Sequence, residues 1–511
     1  MRKVVLHWFV CSTIAIALMQ GGMVVAGELI EDDLLVPASH TAQVSCDEVG
    51  QDSDLGFNSS LVTDASFLSA PTPGFDPTGE LVPLRDPPNP GRQLSYDYEM
   101  FSEDELDWLE SIKVGYDRGF VIASRRESDL RSDRYPFQLR FNGWGQLRHS
   151  ISQFDAPNQD LNQFQLKRGR LLFSGGAFNP EFTFFIQLDG RSSSGDDMRL
   201  LDYYLDYDFG HDQFGLTPGT IGLRTGKYKV PFTIARWLSG RDFEFADRSM
   251  SSTFFDVNRS FAWGLFGQTM ATQFPIKWEI AIFNGLVTGG AETGSSGSLD
   301  GNFAYSGRVF ALPIGDWGNS HLADFENHRQ LAMRVGGGFA YSEIDKSGTT
   351  EFSRLRVVDT GQTLVDLFDE LLLDVDSYHV ALFAVDASWK YRGWSSTIEY
   401  YFRHVNKFRG AAVPELFDHG FWLQIGKFVV PRKIQLAARW SRVVGNSGSF
   451  GMDDLSSDEI GGAVTWHIRE NHSKVVIDAA YLNGAPVDSD ALDLSPGDRG
   501  WLLRSQVQFS F

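Results

Sequence analysis

The sequence predicts an all-β protein: a transmembrane antiparallel β-barrel of about 16 strands behind an acidic, disordered N-terminal tail. Three observations predict it. From Ile112 onward, aromatic and branched residues alternate with polar ones in runs of about ten, the period of a strand whose two faces meet different surroundings. After residue 27, no stretch has the roughly 18 consecutive apolar residues that a membrane-spanning helix needs, so a chain that enters a bilayer here does so as strands. The last run, 499–511, places Trp501, Leu503, Val507, Phe509 and Phe511 on one face and Arg504, Gln506, Gln508 and Ser510 on the other, and it stops on an aromatic residue.

Composition agrees without deciding. The 511 residues include 41 Phe and 51 Gly, much aromatic surface without a long apolar run, which a large soluble β protein shares. The formal charge is −21, and it is unevenly spread. Between Glu28 and Glu110 nineteen acidic residues face only Arg85 and Arg92. That balance disfavours nucleic acid as a partner. There are two cysteines, Cys11 in the N-terminal apolar stretch and Cys46 alone after it, so no intramolecular disulfide framework is expected.

Residues 1–27 read as a signal peptide: Arg2 and Lys3 precede a largely apolar run that ends in small residues near Ala26. Residues 28–111 read as an acidic, mostly disordered segment. Proline and glycine punctuate it, few apolar residues recur with any period, and one short helix is expected over 102–109. Residues 112–511 read as the barrel. Strands are expected over 135–149, 164–174, 181–190, 200–208, 220–229, 259–269, 276–284 and 303–311, then 331–342, 378–390, 394–405, 419–428, 433–443, 459–468, 474–482 and 499–511. Tyr391-Arg392-Gly393 and Val430-Pro431-Arg432 read as tight turns. The stretches 284–302 and 344–377 read as long loops, and Leu364, Leu367, Phe368, Leu371 and Leu372 have helical spacing within the second.

One connection differs in kind. After Lys227 and Lys229, Pro231 ends a strand because it cannot donate to a ladder. The next strand is expected to start at Arg259. Between them Arg236, Arg241 and Arg248 alternate with Asp242, Glu244, Asp247 and Asp256 among many aromatics. A connection so long and charged is not a simple tether. Its length and its aromatics predict that 231–258 folds into the lumen or packs at its mouth. Rings of Arg or Lys are how a pore selects anions, and the guanidinium fork suits phosphate. The anion-selectivity candidates are therefore Arg168, Arg170, Lys227, Lys229, Arg236, Arg241, Arg248 and Arg259, with Asp242, Glu244 and Asp247 expected to hold the arginines in place. The competing reading is that neighbouring acids neutralise each arginine.

The stretch 226–267 resembles the central signature of the phosphate-selective porin O and P family of bacterial outer-membrane barrels, through Gly226, Lys229, Pro231, Phe232, Arg236, Arg241, Asp242, Phe245, Arg248, Arg259 and Gly264. The patterns at 137–145 and 164–173, with Arg168 and Arg170, match as well. The resemblance implies a 16-stranded outer-membrane porin, surrounded by outer-membrane lipid and assembled as a homotrimer. It implies passive uptake of small anions such as phosphate or polyphosphate, without cofactor or catalysis; the acidic segment, expected in the periplasm from its composition, is not part of the family pattern. The alternatives are a porin without phosphate preference, a barrel enzyme, and a secreted polysaccharide-binding β protein. No nucleophile elbow, zinc-binding helix or Walker loop is present, and the histidines show no metal-ligand spacing. Asp488, Asp490 and Asp493 form an acidic loop that a solvated turn explains as well as a Ca²⁺ site does.

Overall fold

The structure is a computed structural model. It describes residues 112–511 apart from 117–118, 125–136, 156–159, 191–197, 270–273, 290–298, 319–320, 359–360 and 446–455. The expected signal peptide 1–27, the acidic segment 28–111 with Cys46, and the helix over 102–109 lie outside the described residues.

Eighteen strands form a single sheet among the described residues. They are β1 Ile112–Tyr116, β2 Phe120–Ser124, β3 Phe137–Phe154, β4 Asn162–Ala177, β5 Phe182–Gly190, β6 Met198–Tyr207, β7 Gly222–Lys229, β8 Arg259–Thr269 and β9 Ile276–Asn284. The remainder are β10 Phe303–Ile314, β11 Ala332–Asp345, β12 Ser377–Tyr391, β13 Trp394–Arg409, β14 Leu416–Val430, β15 Ile434–Val444, β16 Ser456–Arg469, β17 Ser473–Asn483 and β18 Arg499–Ser510. From β3 onward each strand pairs antiparallel with the next, and β18 returns to pair with β3 from Gly500↔Phe154 to Ser510↔Trp144. The result is a closed ring of sixteen strands, which leaves no free edge. All sixteen strands read from the sequence are present in this ring.

The hairpin β1–β2 was not foreseen, because two five-residue strands are too short to display a period. It pairs with the start of β3, from Phe120↔Phe141 to Ala123↔Gln138, and so continues the wall just beyond the point where β18 ends. Phe511 closes that seam. Its backbone exchanges hydrogen bonds with Gly143 at 3.2 and 3.0 Å, and its ring lies 6.3 Å from Phe120 and 5.9 Å from Phe141. Gly143 leaves room for this: a Cβ there would stand 2.8 Å from the Phe511 ring.

The wall has the two-faced pattern of a membrane barrel. On β18, Trp501, Leu503, Val507 and Phe509 are exposed on the outside, while Leu502, Arg504, Gln506 and Gln508 are buried inside. On β13, Ile398 is outside, and Glu399, Tyr401 and Arg403 are inside. No described helix is long and apolar enough to cross a membrane.

We call the end where β3 starts and β18 finishes the proximal mouth. Several proximal turns are tight: Arg392 and Gly393 join β12 to β13 with φ of 47° and 77°, the two left-handed residues of a primed hairpin turn. One proximal connection, 208–221, carries helix α1 Phe209–Phe214. The distal connections are longer. That between β7 and β8 contains α2 Ile234–Trp237 and α3 Met250–Phe255. That between β11 and β12 contains α4 Thr349–Phe352 and α5 Leu364–Glu370, the latter where the leucine spacing predicted a helix. Both connections place large apolar side chains in the barrel's interior core: Phe232, Trp237, Phe254 and Phe255 from the first, Leu364, Leu367 and Phe368 from the second.

Candidate functional site: the inward-folded segment

Residues 231–258 leave the wall after β7, cross the lumen and return to β8. Pro231 ends the strand and polar caps at Thr233 and Ser249 start two short helices, so many backbone groups need partners elsewhere. The wall supplies them. Thr233 caps α2 by accepting from Arg236 N–H at 3.2 Å. The exposed N–H groups at that helix's start, Ile234 and Ala235, donate to the Glu399 carboxylate at 2.7 and 3.2 Å. Ser249 caps α3, and Met250 N–H donates to Glu459 at 2.6 Å. In both cases a wall carboxylate meets the positive end of a short helix. Between them Ala246 N–H donates to Asp478 at 2.8 Å, and Lys474 donates to Phe243 O at 2.7 Å. Gly338 gives the segment its path, since a Cβ there would collide with the Phe232 carbonyl.

Asp247 and Glu244 anchor the segment to the wall, whereas Asp256 and Asp242 stand beside its own Arg236 and Arg241. Asp247 accepts from Arg148 on β3 at 2.8 Å and from Arg168 on β4 at 2.9 Å. Burial opposes its charge, but Arg168 and Arg148 outweigh it and hold its carboxyl well below the usual range. Glu244 accepts from Ser395, Gln424 and Gln435 at 2.7, 2.6 and 2.5 Å, and burial pushes its carboxyl up. Asp242 meets His321 at 3.1 Å, on the proximal connection between β10 and β11. Inward connections from both mouths therefore touch.

The candidate cations separate into two groups. Five face a carboxylate. Arg168 stands on Asp247, Arg170 on Asp189 at 2.9 Å, Arg236 on Asp256 at 3.2 Å, Arg259 on Asp202 at 2.8 Å, and Arg241 beside Asp242 at 3.8 Å. Arg236, an anion-selectivity candidate in the sequence, has its side chain buried against Asp256 between α2 and the end of α3. Lys229 and Arg248 belong to the second group. Lys229 Nζ donates to Leu238 O at 2.9 Å and to Trp237 O at 3.3 Å. Arg248 donates to Ala235 O at 2.9 Å and to the same Leu238 O at 3.1 Å, with its guanidinium 4.7 Å from the Phe243 ring. Among the described residues neither forms an ion pair, and both are partly exposed. Lys227 stands apart from Lys229: it reaches Leu200 O on β6 at 3.3 Å.

The acidic loop 488–493 is divided among cationic partners. Asp493 pairs with Lys167 and accepts from Ser150 at 2.9 Å, and Asp488 pairs with Arg356 at 2.9 Å. Lys167 and Arg148 draw the Asp493 carboxyl below its ordinary value against the opposing effect of burial. Asp324, Glu326 and His328 bring their ligand atoms within 4.8 Å of one another on the proximal connection. The Asp324 oxygens already accept from His328 N at 3.1 Å and Gly393 N at 2.7 Å, a turn-capping role. The sequence marked none of the wall partners Arg148, Glu399, Glu459 and Asp478 individually. Each sits at an inward position of an alternating strand, and that was their only signal.

A closed antiparallel barrel with a charged, partly filled interior defines the class of this protein. No family model matches the chain, and no curated protein matches its sequence. Among solved structures, the chain is similar to an anion-selective porin from Comamonas acidovorans, with 8% identity over 73% of this chain and 100% of that one and a TM-score of 0.48. It is also similar to the outer membrane channel DcaP of Acinetobacter baumannii, with 9% identity over 75% and 99% and a TM-score of 0.43. A third is the trimer form of OmpT, an outer membrane protein of Vibrio cholerae, with 11% identity over 73% and 99% and a TM-score of 0.44.

Proposed function

We propose that the protein is an outer-membrane porin that lets small anions, phosphate among them, diffuse through a lumen narrowed by 231–258. The proposal includes an apolar belt bathed in outer-membrane lipid, assembly as a homotrimer, and the proximal mouth facing the periplasm. It includes no catalytic step. The observation that carries it is the pair Lys229 and Arg248: two partly exposed cations without a carboxylate, held side by side on one backbone carbonyl of the lumen segment. An interior in which every cation was neutralised would offer an anion nothing. Fixing their positions by carbonyls keeps the charge available, whereas pairing would cancel it.

The lumen segment and the proximal connection meet at Asp242 and His321, which favours a narrow, selective path over a wide general pore. In planar bilayers under a KCl gradient, the double variant Lys229→Gln, Arg248→Gln is expected to lower the anion-over-cation permeability ratio several-fold while still conducting. Screening over about 8 Å at physiological salt means each cation acts locally, so the single variants should show smaller shifts. An unchanged ratio in the double variant would overturn the reading.

A further inference from the structure

Arg334 is the exception among the arginines of this barrel. Every other fully buried arginine among the described residues stands on a carboxylate, as Arg308 does on Asp386 at 2.6 Å and Arg504 on Asp478 at 2.8 Å. Arg334 is 1% exposed and has no such partner. Its Nη2 reaches Ser388 Oγ only at 3.5 Å, and its Nε and Nη1 have no protein acceptor. Its guanidinium lies 4.7 Å from the Trp317 ring and 5.8 Å from that of Trp237. The indole N–H of Trp317 has no protein acceptor either. Lys390 lies on the same ring at 4.5 Å, donates to Trp317 O at 3.1 Å, and is 3.8 Å from Glu326.

The place of this cluster matters. Arg334 lies near the start of β11, opposite Ser388 of β12, and Lys390 lies opposite Ala332, so both belong to the proximal end of the wall. Trp317 comes from the proximal connection and Trp237 from the distal segment. The cluster therefore occupies the joint between the two inward-folded parts, apart from Lys229 and Arg248. The unused polar atoms of Arg334 and Trp317 are donors, and the one donor group that is a fixed cation feels the attraction of Asp386 only at longer range, since Asp386 stands on Arg308. A group that satisfies them must be an acceptor. Beside Arg334, which no carboxylate touches, a negative acceptor gains most, and a planar guanidinium matches the spacing of an oxyanion.

We propose that Arg334, with Lys390 and the Trp317 indole N–H, binds a small oxyanion such as inorganic phosphate on the proximal side of the lumen segment, with Trp317 as its cover. Trp317 is itself buried, so entry of the anion displaces its ring. The site depends on the channel reading for the anion's route, but its binding does not.

The test uses the full chain in detergent, titrated with inorganic phosphate at constant ionic strength against chloride. Equilibrium binding and tryptophan fluorescence are both followed. Saturable binding of one phosphate per chain is expected, with a fluorescence change that Trp317→Phe abolishes among the thirteen tryptophans. Arg334→Gln should weaken binding about tenfold or more, the ordinary effect of losing a charged hydrogen-bond donor. Should that variant fail to fold, Trp317→Phe carries the test alone, since it keeps a smaller aromatic ring and loses the N–H: weaker phosphate binding is expected. Wild-type protein without saturable binding, or either variant with wild-type affinity, would overturn the proposal and show Arg334 to be a stacked structural cation. Phosphate binding without anion preference in bilayers would sink the channel reading and leave this one standing.

Discussion

Asp247 shows how much one residue of the lumen segment decides. It is buried, and two wall arginines from different strands converge on it. Removing its charge leaves Arg168 buried without a carboxylate and Arg148 with only Asp493 at 3.5 Å, a loss of about 3–5 kcal/mol for a broken buried pair. Asp247→Asn is therefore expected to lower the denaturation midpoint and to make 231–258 a target of limited proteolysis. A segment that stays protected would show that its other wall contacts suffice. Because the Asp247 carboxyl is held low in the folded protein, its contribution is complete above the ordinary Asp pKa of about 3.9 and is lost only as pH falls through the folded value. The segment should stay anchored at neutral pH and be released only in strong acid. At the same scale, Phe511 works through shape: its ring lies over Gly143 and joins the aromatic cluster at the barrel seam.

Among the elements, the connections behave unlike the strands. A strand here satisfies its own backbone through its neighbours, but α2 and α3 borrow Glu399 and Glu459 from the wall. The connection between β9 and β10 borrows from α4 in the same manner. Glu351 accepts from Leu286 N–H at 3.1 Å and from Asp300 N–H at 3.0 Å, so one carboxyl ties both ends of that loop. Burial pushes Glu351 up to about 7 from 4.5, and the neighbouring Asp300 adds to this. The folded loop thus favours the protonated acid. Its contribution is full below the unfolded value near 4.5 and fades as pH rises through about 7. Hydrogen-exchange protection of the Leu286 and Asp300 amides, corrected for intrinsic rates, should fall between pH 5 and pH 8. In Glu351→Gln it should not change with pH. Equal protection at both pH values in the wild type would contradict this.

At the scale of the molecule, the barrel resembles a pipe with a soluble core inside it. Buried aromatics of 231–258 and the apolar face of α5 pack in the lumen, while charged pairs tie them to the wall. Replacing 233–256 by a short Gly/Ser linker should raise single-channel conductance several-fold, because the linker offers the lumen no bulk. It should also lower stability, since Glu399, Glu459 and Asp478 then lose the N–H donors they hold. Unchanged conductance would mean that other connections limit the path.

The sequence by itself determined the wall. Period-2 alternation is local, since each residue faces outward or into the lumen according to its parity along one strand, and so β3 to β18, their order and the closing Phe511 were legible without coordinates. The same locality exposed 231–258, where the alternation stops and a proline ends the strand. Which charges cancel was not legible. Glu244 and Gln435 meet across a separation of 191 residues, and Arg148 and Asp247 across 99, through contacts that leave no mark on the spacing of either partner. Arg236 and Arg248 look alike in the sequence, twelve residues apart among similar neighbours. Only the tertiary structure set one against Asp256 and left the other on a carbonyl, because closing the barrel decides which side chains share the lumen at the same depth.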